Sequence, residues 1–250
     1  LLRGVVQDRD AATVAGLLTA RGAIVHRITI VDDSERAIAA AVTESLDRST
    51  HLVVTTGGLG PGLDDRTMNA VSVALRRPLA INARAQKMVE DAYKQLHSQG
   101  LIASPATNAA RQKLYSIPVG GEPVANGVGM TPGVIVRLPG GGAVLSLPGA
   151  PDQARSVLEN ALALLKDVAP RGVVAKREVE TPTSDESVLH PILDILAGEY
   201  PSVSIKSEAP AADRRARIRV TLEASAPTRK EAESTVEEAL RRLLDLAVGV

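Results

Sequence analysis

The chain has 250 residues, enough for one substantial domain and a small second one. Its 29 basic and 29 acidic residues balance, which excludes the electrostatic footprint of a general nucleic-acid or membrane-surface binder. The absence of cysteine excludes disulfides, thiolate metal ligands and cysteine nucleophiles together, and with no Phe or Trp the core must be aliphatic.

In chain order, Asp10 to Ala20 carries apolar residues at helical spacing, and Gly22 stops that helix before a strand-like run, Ile24 to Val31. Asp32, Asp33 and Ser34 cap a second helix, Glu35 to Leu46, and His51 to Thr55 reads as another short strand. Helices follow at Arg66 to Leu75 and Ala83 to Gln99, and Ser104-Pro105 opens a helical or irregular stretch toward Leu114. Ser116 to Gly142 is dense in Gly and Pro, and strands at Val134 to Leu138 and Ala143 to Leu147 flank Pro139-Gly140-Gly141-Gly142 as a hairpin. Pro148-Gly149-Ala150-Pro151 turns into the amphipathic helix Asp152 to Asp167, which closes a first domain over residues 1–168. Ala169 to Gly172 reads as a linker. Residues 173–250 then read as strand, helix, strand, strand and helix, a small α+β domain. The alternation in the first domain predicts an α/β fold with a mainly parallel sheet. No stretch approaches the roughly 20 apolar residues of a membrane span, and no signal peptide is visible, so a soluble cytoplasmic protein is expected.

The segment Thr55-Thr56-Gly57-Gly58-Leu59-Gly60-Pro61-Gly62-Leu63-Asp64-Asp65-Arg66-Thr67 leaves a strand and enters a helix. Such a glycine turn exposes backbone N–H groups at the positive end of a helix, which suits a phosphate. It is neither the Lys-containing nucleotide loop nor a dinucleotide fingerprint. Carboxylates beside a phosphate repel it unless a divalent cation lies between, so Asp64 and Asp65 point to a metal-bridged phosphate. The simpler alternative makes one of them a helix N-cap and the glycines a tight turn. Thr55, Thr56 and Thr67 either bond a ligand or complete turn and cap bonds.

This loop resembles the signature of the molybdopterin-binding domain at the N-terminus of CinA-type proteins. Three further motifs are collinear with that family. Leu1-Leu2-Arg3-Gly4 with Asp8 resembles its early element, although Arg9-Asp10 replaces Thr-Asn. Pro123 to Gly133, with Asn126, Gly127 and Gly129, resembles its Asn, Gly and Ala-Pro-Gly stretch, and Ser146 to Pro151, with Pro148 and Gly149, resembles its closing turn. The resemblance implies a three-layer α/β/α fold whose first strand precedes Leu1, with the ligand at the strand ends. It matches Asp65 to the acidic residue linked to metal and ligand phosphate, and Asp64 to the CinA branch. It further implies a divalent metal (Mg, Mn or Co), a phosphate-bearing small molecule such as a molybdopterin, and either a nucleotide pyrophosphatase (a hydrolase) acting on ADP-ribose-type substrates or a non-catalytic binding protein. Gly62 and Asn69 stand where the family usually has Thr and Glu, so a hydroxyl and a carboxylate are missing near the site. The tail resembles the family's KH-like second domain but lacks a Gly-x-x-Gly clamp, so no nucleic-acid partner is expected; the balanced charge argues against a membrane partner, and the activity of the deamidase domain that often follows in the family, which would lie beyond Val250, is not expected of these residues.

Among lesser candidates, His26, His51, His97 and His190 read as structural or surface residues, and Ser146 lacks a nucleophile-elbow spacing. Arg111 and Lys113 could reach a pyrophosphate, with solvent exposure as the simpler reading. Arg214, Arg215, Arg217 and Arg219 form the densest basic cluster, in which alternation puts Arg215, Arg217 and Arg219 on one solvated strand face, and the aliphatic helices of the tail offer a route to a homo-oligomer.

Overall fold

The computed structural model describes residues 1–2, 4–48, 50–168, 172–208 and 217–249. Arg3, most of the expected linker (169–171), and Arg214 and Arg215 lie outside the described residues. The chain divides into two compact units, Leu1–Gly16 with Val25–Ala169, and Leu17–Ile24 with Pro170–Val250.

The first unit is built on a four-stranded sheet of order β1-β6-β5-β4, formed by β1 (Leu52–Thr56), β4 (Gly121–Val124), β5 (Gly133–Arg137) and β6 (Ala143–Leu147). β1 and β6 run parallel, with Val53 opposite Val144 and Thr55 opposite Ser146, whereas β5 pairs antiparallel with both β6 and β4. The expected hairpin is therefore present, with Val136 opposite Val144. β6 is buried along its whole length, as its sequence Ala-Val-Leu-Ser-Leu allows for a strand covered on both faces. Helix α1 (Asp10–Thr19) comes first in the chain; helices α2 (Glu35–Asp47) and α3 (Thr67–Leu75) pack on one face of the sheet, where Val42 and Val71 meet Val53 and Val144. Helix α6 (Pro151–Leu164) lies on the other, its Val157 seated so close to Gly133 that a β-carbon there would fall 2.1 Å from a valine methyl. The expected α/β architecture follows from these two covered faces, with β1 and β6 as the parallel pair at one side of the sheet.

Four segments depart from the sequence reading. The extended run at 24–31 joins no ladder among the described residues, and Ile28 and Ile30 remain exposed, because hydrophobic alternation makes a strand only where a partner edge is available. β2 (Leu79–Ile81) and β3 (Ser116–Pro118) form a short antiparallel pair, and β4 pairs through a Gly-Glu-Pro-Val run; three- and four-residue strands with Pro carry no readable alternation. Helix α4 (Ala83–Ser98), capped by Asn82, contributes Ala85, Val89 and Tyr93 to a cluster with Leu114 and Tyr115, next to the one-turn helix α5 (Ala109–Lys113).

The second unit contains β7 (Val173–Glu180), α7 (Glu186–Glu199), β8 (Val203–Glu208), β9 (Arg219–Ala226) and α8 (Arg229–Leu246), with an antiparallel sheet of order β7-β9-β8. Leu189, Leu196, Val220, Leu222, Val236 and Leu243 form its aliphatic core, so the small α+β domain read from the sequence is present. Arg217 and Arg219 are exposed on either side of buried Ile218, as a solvated strand face requires.

Candidate functional site

Because β1 and β6 are parallel, their carboxyl ends lie side by side, and the chain leaves one through Gly57 and the other through Pro148-Gly149. The carboxyl ends of parallel strands are where open α/β sheets present ligand sites. Gly57 adopts φ +83° and donates its N–H to Leu147 O at 2.9 Å. A β-carbon on Gly149 would lie 3.1 Å from the Gly57 Cα, so the two exits touch backbone to backbone. Beneath them the Thr55 hydroxyl bonds the Ser146 hydroxyl at 2.9 Å, with Ser146 buried.

The glycine loop closes through Thr67, whose N–H donates to Gly58 O at 3.1 Å and whose hydroxyl donates to Gly57 O at 2.8 Å. Leu59 is buried and pins the loop from within. The tip is organised around Gly62: its N–H donates to Asp65 Oδ2 at 2.7 Å, and its carbonyl accepts from Lys113 Nζ. A β-carbon at Gly62 would stand 2.7 Å from Asp64 Oδ1 and 2.9 Å from Asp65 Oδ2, so both carboxylates converge over this residue. Neither caps α3: Arg66 holds the N-cap position without a side-chain bond, and Asp64, exposed, takes no hydrogen bond among the described residues. The simple N-cap alternative for this pair is thereby overturned. No group of three or more His, Asp or Glu among the described residues is placed to hold a metal. Two converging carboxylates nevertheless fit a hard cation such as Mg2+, which is commonly held by one or two carboxylates together with ligand phosphates and water.

Two helices begin at this point. Helix α3 follows the loop and α6 follows Gly149, and neither has a side-chain cap. By contrast α2, α4, α5, α7 and α8 are capped by Ser34, Asn82, Asn108, Asp185 and Thr228. The helices that start at the strand ends thus keep their first N–H groups free of side-chain acceptors, and those groups with the helix dipole attract an anion.

The other expected site residues fall around this centre. The Thr56 residue is exposed and its side chain makes no hydrogen bond among the described residues. Gly60 sits under Asp65, where a β-carbon would meet its carboxylate at 2.5 Å. Pro148 is buried. Asn126 acts through its own loop: Nδ2 donates to Thr131 O and Gln153 Oε1, and Oδ1 accepts from Val128 and Gly129 N–H. Gly127 N–H bonds Ser156, so the loop is tied to the first turns of α6 by Gln153 and Ser156. The side chain of Asn126 is consumed in this scaffold, and what the loop offers outward is backbone. Asn69 donates to Glu35. Arg111 stacks over the Tyr93 ring at 4.0 Å and donates to Ser104 and Ala106 carbonyls, away from the glycine loop. Asp10 carries a buried carboxylate oxygen with no partner among the described residues, and burial, then the charge of Asp8, pushes its carboxyl above the usual range. His190 lies 3.7 Å from Asp194, one turn on, both exposed.

Parallel strands ending in touching glycine turns, each followed by a helix without a side-chain cap, define the ligand-site geometry of an open α/β domain. The chain belongs to the family described as "Probable molybdopterin binding domain", whose model matches residues 1–167. A protein of Pyrococcus abyssi is 38% identical over 193 residues, covering 77% of this chain and 75% of that one. One of Pyrobaculum calidifontis is 35% identical over 248 residues, covering 98% and 91%. The crystal structure of the protein CinA of unknown function from Thermoplasma acidophilum superposes with a TM-score of 0.58 at 30% identity, covering 67% of this chain and 92% of that chain, in keeping with the CinA-type resemblance of the loop.

Proposed function

We propose that the chain binds a phosphate- or pyrophosphate-bearing small molecule, a molybdopterin-like pterin or an ADP-ribose-type nucleotide, in the loop from Gly57 to Thr67. The observation that carries this reading is the contact of Gly57 with Gly149 at two helix starts that lack side-chain caps. The family's description supports the pterin as ligand class. Backbone N–H groups of the loop and of α6 would hold the phosphate, and the Asn126 to Gly133 loop, fixed to α6, would form a wall. Thr55 and Thr67 act as clasps, since both hydroxyls are committed to protein partners.

A second reading, metal-dependent hydrolysis of a nucleotide pyrophosphate, is favoured by the convergence of Asp64 and Asp65 over Gly62. Mg2+, Mn2+ or Co2+ held there together with the ligand phosphates would neutralise the charge of a pyrophosphate. Calorimetry with a molybdopterin precursor, ADP-ribose and FAD, with and without each metal, tests both readings on wild type and Asp65→Ala. Binding strengthened by metal in wild type and not in Asp65→Ala supports the site, and metal-dependent release of AMP supports hydrolysis. Binding of none of these ligands would sink both.

A further inference from the structure

The glycine loop receives a cation from outside its own segment. Lys113 ends α5, and its Nζ donates to the carbonyl of Gly62, 51 residues earlier in the chain. This is the one hydrogen bond from a basic side chain of another element to residues 57–67 among the described residues; that of Arg66 to Leu63 O at 3.3 Å is local to the loop. The placement of Lys113 is enforced from behind. Asn108 caps α5, the next residues Leu114 and Tyr115 are buried, and two residues back Arg111 is fixed over Tyr93. The lysine stem is therefore held to the loop by a packed cluster.

The ammonium is under-used where it stands. It carries three N–H donors and spends one on Gly62. It forms no ion pair among the described residues, although Asp64 and Asp65 lie over the same glycine. Gly62 is thus held on both sides, by a carboxylate on its N–H and an ammonium on its carbonyl, at the tip of the loop that ends in the uncapped start of α3. A lysine serving only as a loop clasp would need no charge at this point. A lysine beside a phosphate would use its remaining donors in charge-assisted bonds.

We propose that Lys113 is the phosphate-binding cation of the glycine loop, resting on the Gly62 carbonyl and turning its free N–H groups to a phosphate oxygen of the ligand. The inference rests on the phosphate-binding reading above and adds a residue to it. In that arrangement the site brings two unlike charges to the ligand: the ammonium acts on the phosphate directly, and the carboxylates act through a divalent cation. Binding to Lys113 then persists in part without metal.

The test uses the full chain and its variants Lys113→Met and Lys113→Arg, with inorganic pyrophosphate and ADP-ribose as probes. Calorimetry is run with EDTA and with Mg2+, each at low and high salt, and the thermal midpoint of the free protein is recorded. One charge-assisted hydrogen bond corresponds to about a tenfold to hundredfold change in affinity. Lys113→Met is expected to weaken both probes by that factor under EDTA as well as Mg2+, and to flatten the salt dependence. Lys113→Arg is expected to keep the salt dependence of wild type. Unchanged affinity in Lys113→Met overturns the inference. So does weakened affinity with the salt dependence of wild type, since a clasp that merely shapes the loop removes no charge from the ligand; a lower thermal midpoint would accompany that outcome. Failure of wild type to bind either probe would instead remove the phosphate-binding reading itself.

Discussion

Gly58→Ala tests whether the loop is held as described. Gly58 has φ +67°, in the left-handed region, where a residue with a β-carbon costs roughly 1–2 kcal/mol. The new β-carbon would also stand 2.2 Å from Thr67 Oγ1, so the hydroxyl must leave Gly57 O, and a typical hydrogen bond of this kind contributes about 1 kcal/mol. The two effects together predict destabilisation of about 2–3 kcal/mol. Urea unfolding followed by tyrosine fluorescence in a Tyr200→Phe background reports on Tyr93 and Tyr115, which belong to the first unit. Gly127→Ala is the comparison: its φ is not positive and its β-carbon would sit 3.2 Å from the Ser156 hydroxyl, which has to give way by a few tenths of an ångström, so a cost of at most about 1 kcal/mol, the value of the Gly127 N–H bond to that hydroxyl, is expected. A Gly58→Ala cost no larger than that of Gly127→Ala would show that neither the backbone conformation nor the Thr67 clasp holds the loop.

Gly62→Ala should cost at most about 1 kcal/mol of urea stability, because its β-carbon displaces the ends of two carboxylates of which only Asp65 is hydrogen-bonded, while the metal-dependent part of ADP-ribose affinity falls; equal metal dependence in calorimetry would count against the carboxylate pair. Asn126→Ala removes four hydrogen bonds from a partly buried side chain and should destabilise the first unit by roughly 1–3 kcal/mol in the same urea assay. Asp10→Asn should raise the thermal midpoint at neutral pH. The carboxyl of Asp10 is shifted upward by burial and then by Asp8, so its favourable contribution is complete below the unfolded value and lost as pH rises through the folded one; the gain from Asn should therefore shrink on acidification below the usual carboxylate range, and a gain independent of pH would contradict this assignment.

What could be read from the sequence was what a local pattern determines. Helices with an apolar stripe, such as Glu35–Asp47 behind its Ser34 cap and the last helix, Arg229–Leu246, were legible from their residues. So were the hairpin around Gly140 and the glycine loop itself. Strands of three or four residues, such as Ser116–Pro118, were not, because their existence depends on a distant edge. At the site, the carboxylates and glycines stood out by type, but their partners did not. Nothing local to Asp65 indicates that it bonds Gly62 instead of capping α3, and nothing near Lys113 indicates a partner 51 residues away. The bond from Asn126 to Gln153 is hidden for the same reason, since a loop in one segment is completed by a helix in another.

The missing caps connect the stability of the fold to its function. An N-cap of Ser, Thr, Asp or Asn stabilises a helix by roughly 1 kcal/mol, and Ala150 stands at the N-cap of α6 with φ −90° and ψ 129°, the extended conformation such a cap requires. Pro151 follows at the first helical position, where proline is well tolerated, so the helix is otherwise prepared to start there. Leaving Ala at this place costs stability unless the N–H groups behind it serve another acceptor, and local rules are broken most often at functional sites. Ala150→Asp should therefore raise urea stability by about 0.5–2 kcal/mol while abolishing pyrophosphate binding, because its carboxylate takes the N–H groups and repels the anion. Ala150→Ser should give a similar stability gain with a weaker loss of affinity, because it competes for the same groups without charge. If Ala150→Asp binds pyrophosphate as tightly as wild type, the start of α6 is not part of the phosphate site, and the contact between Gly57 and Gly149 serves packing alone.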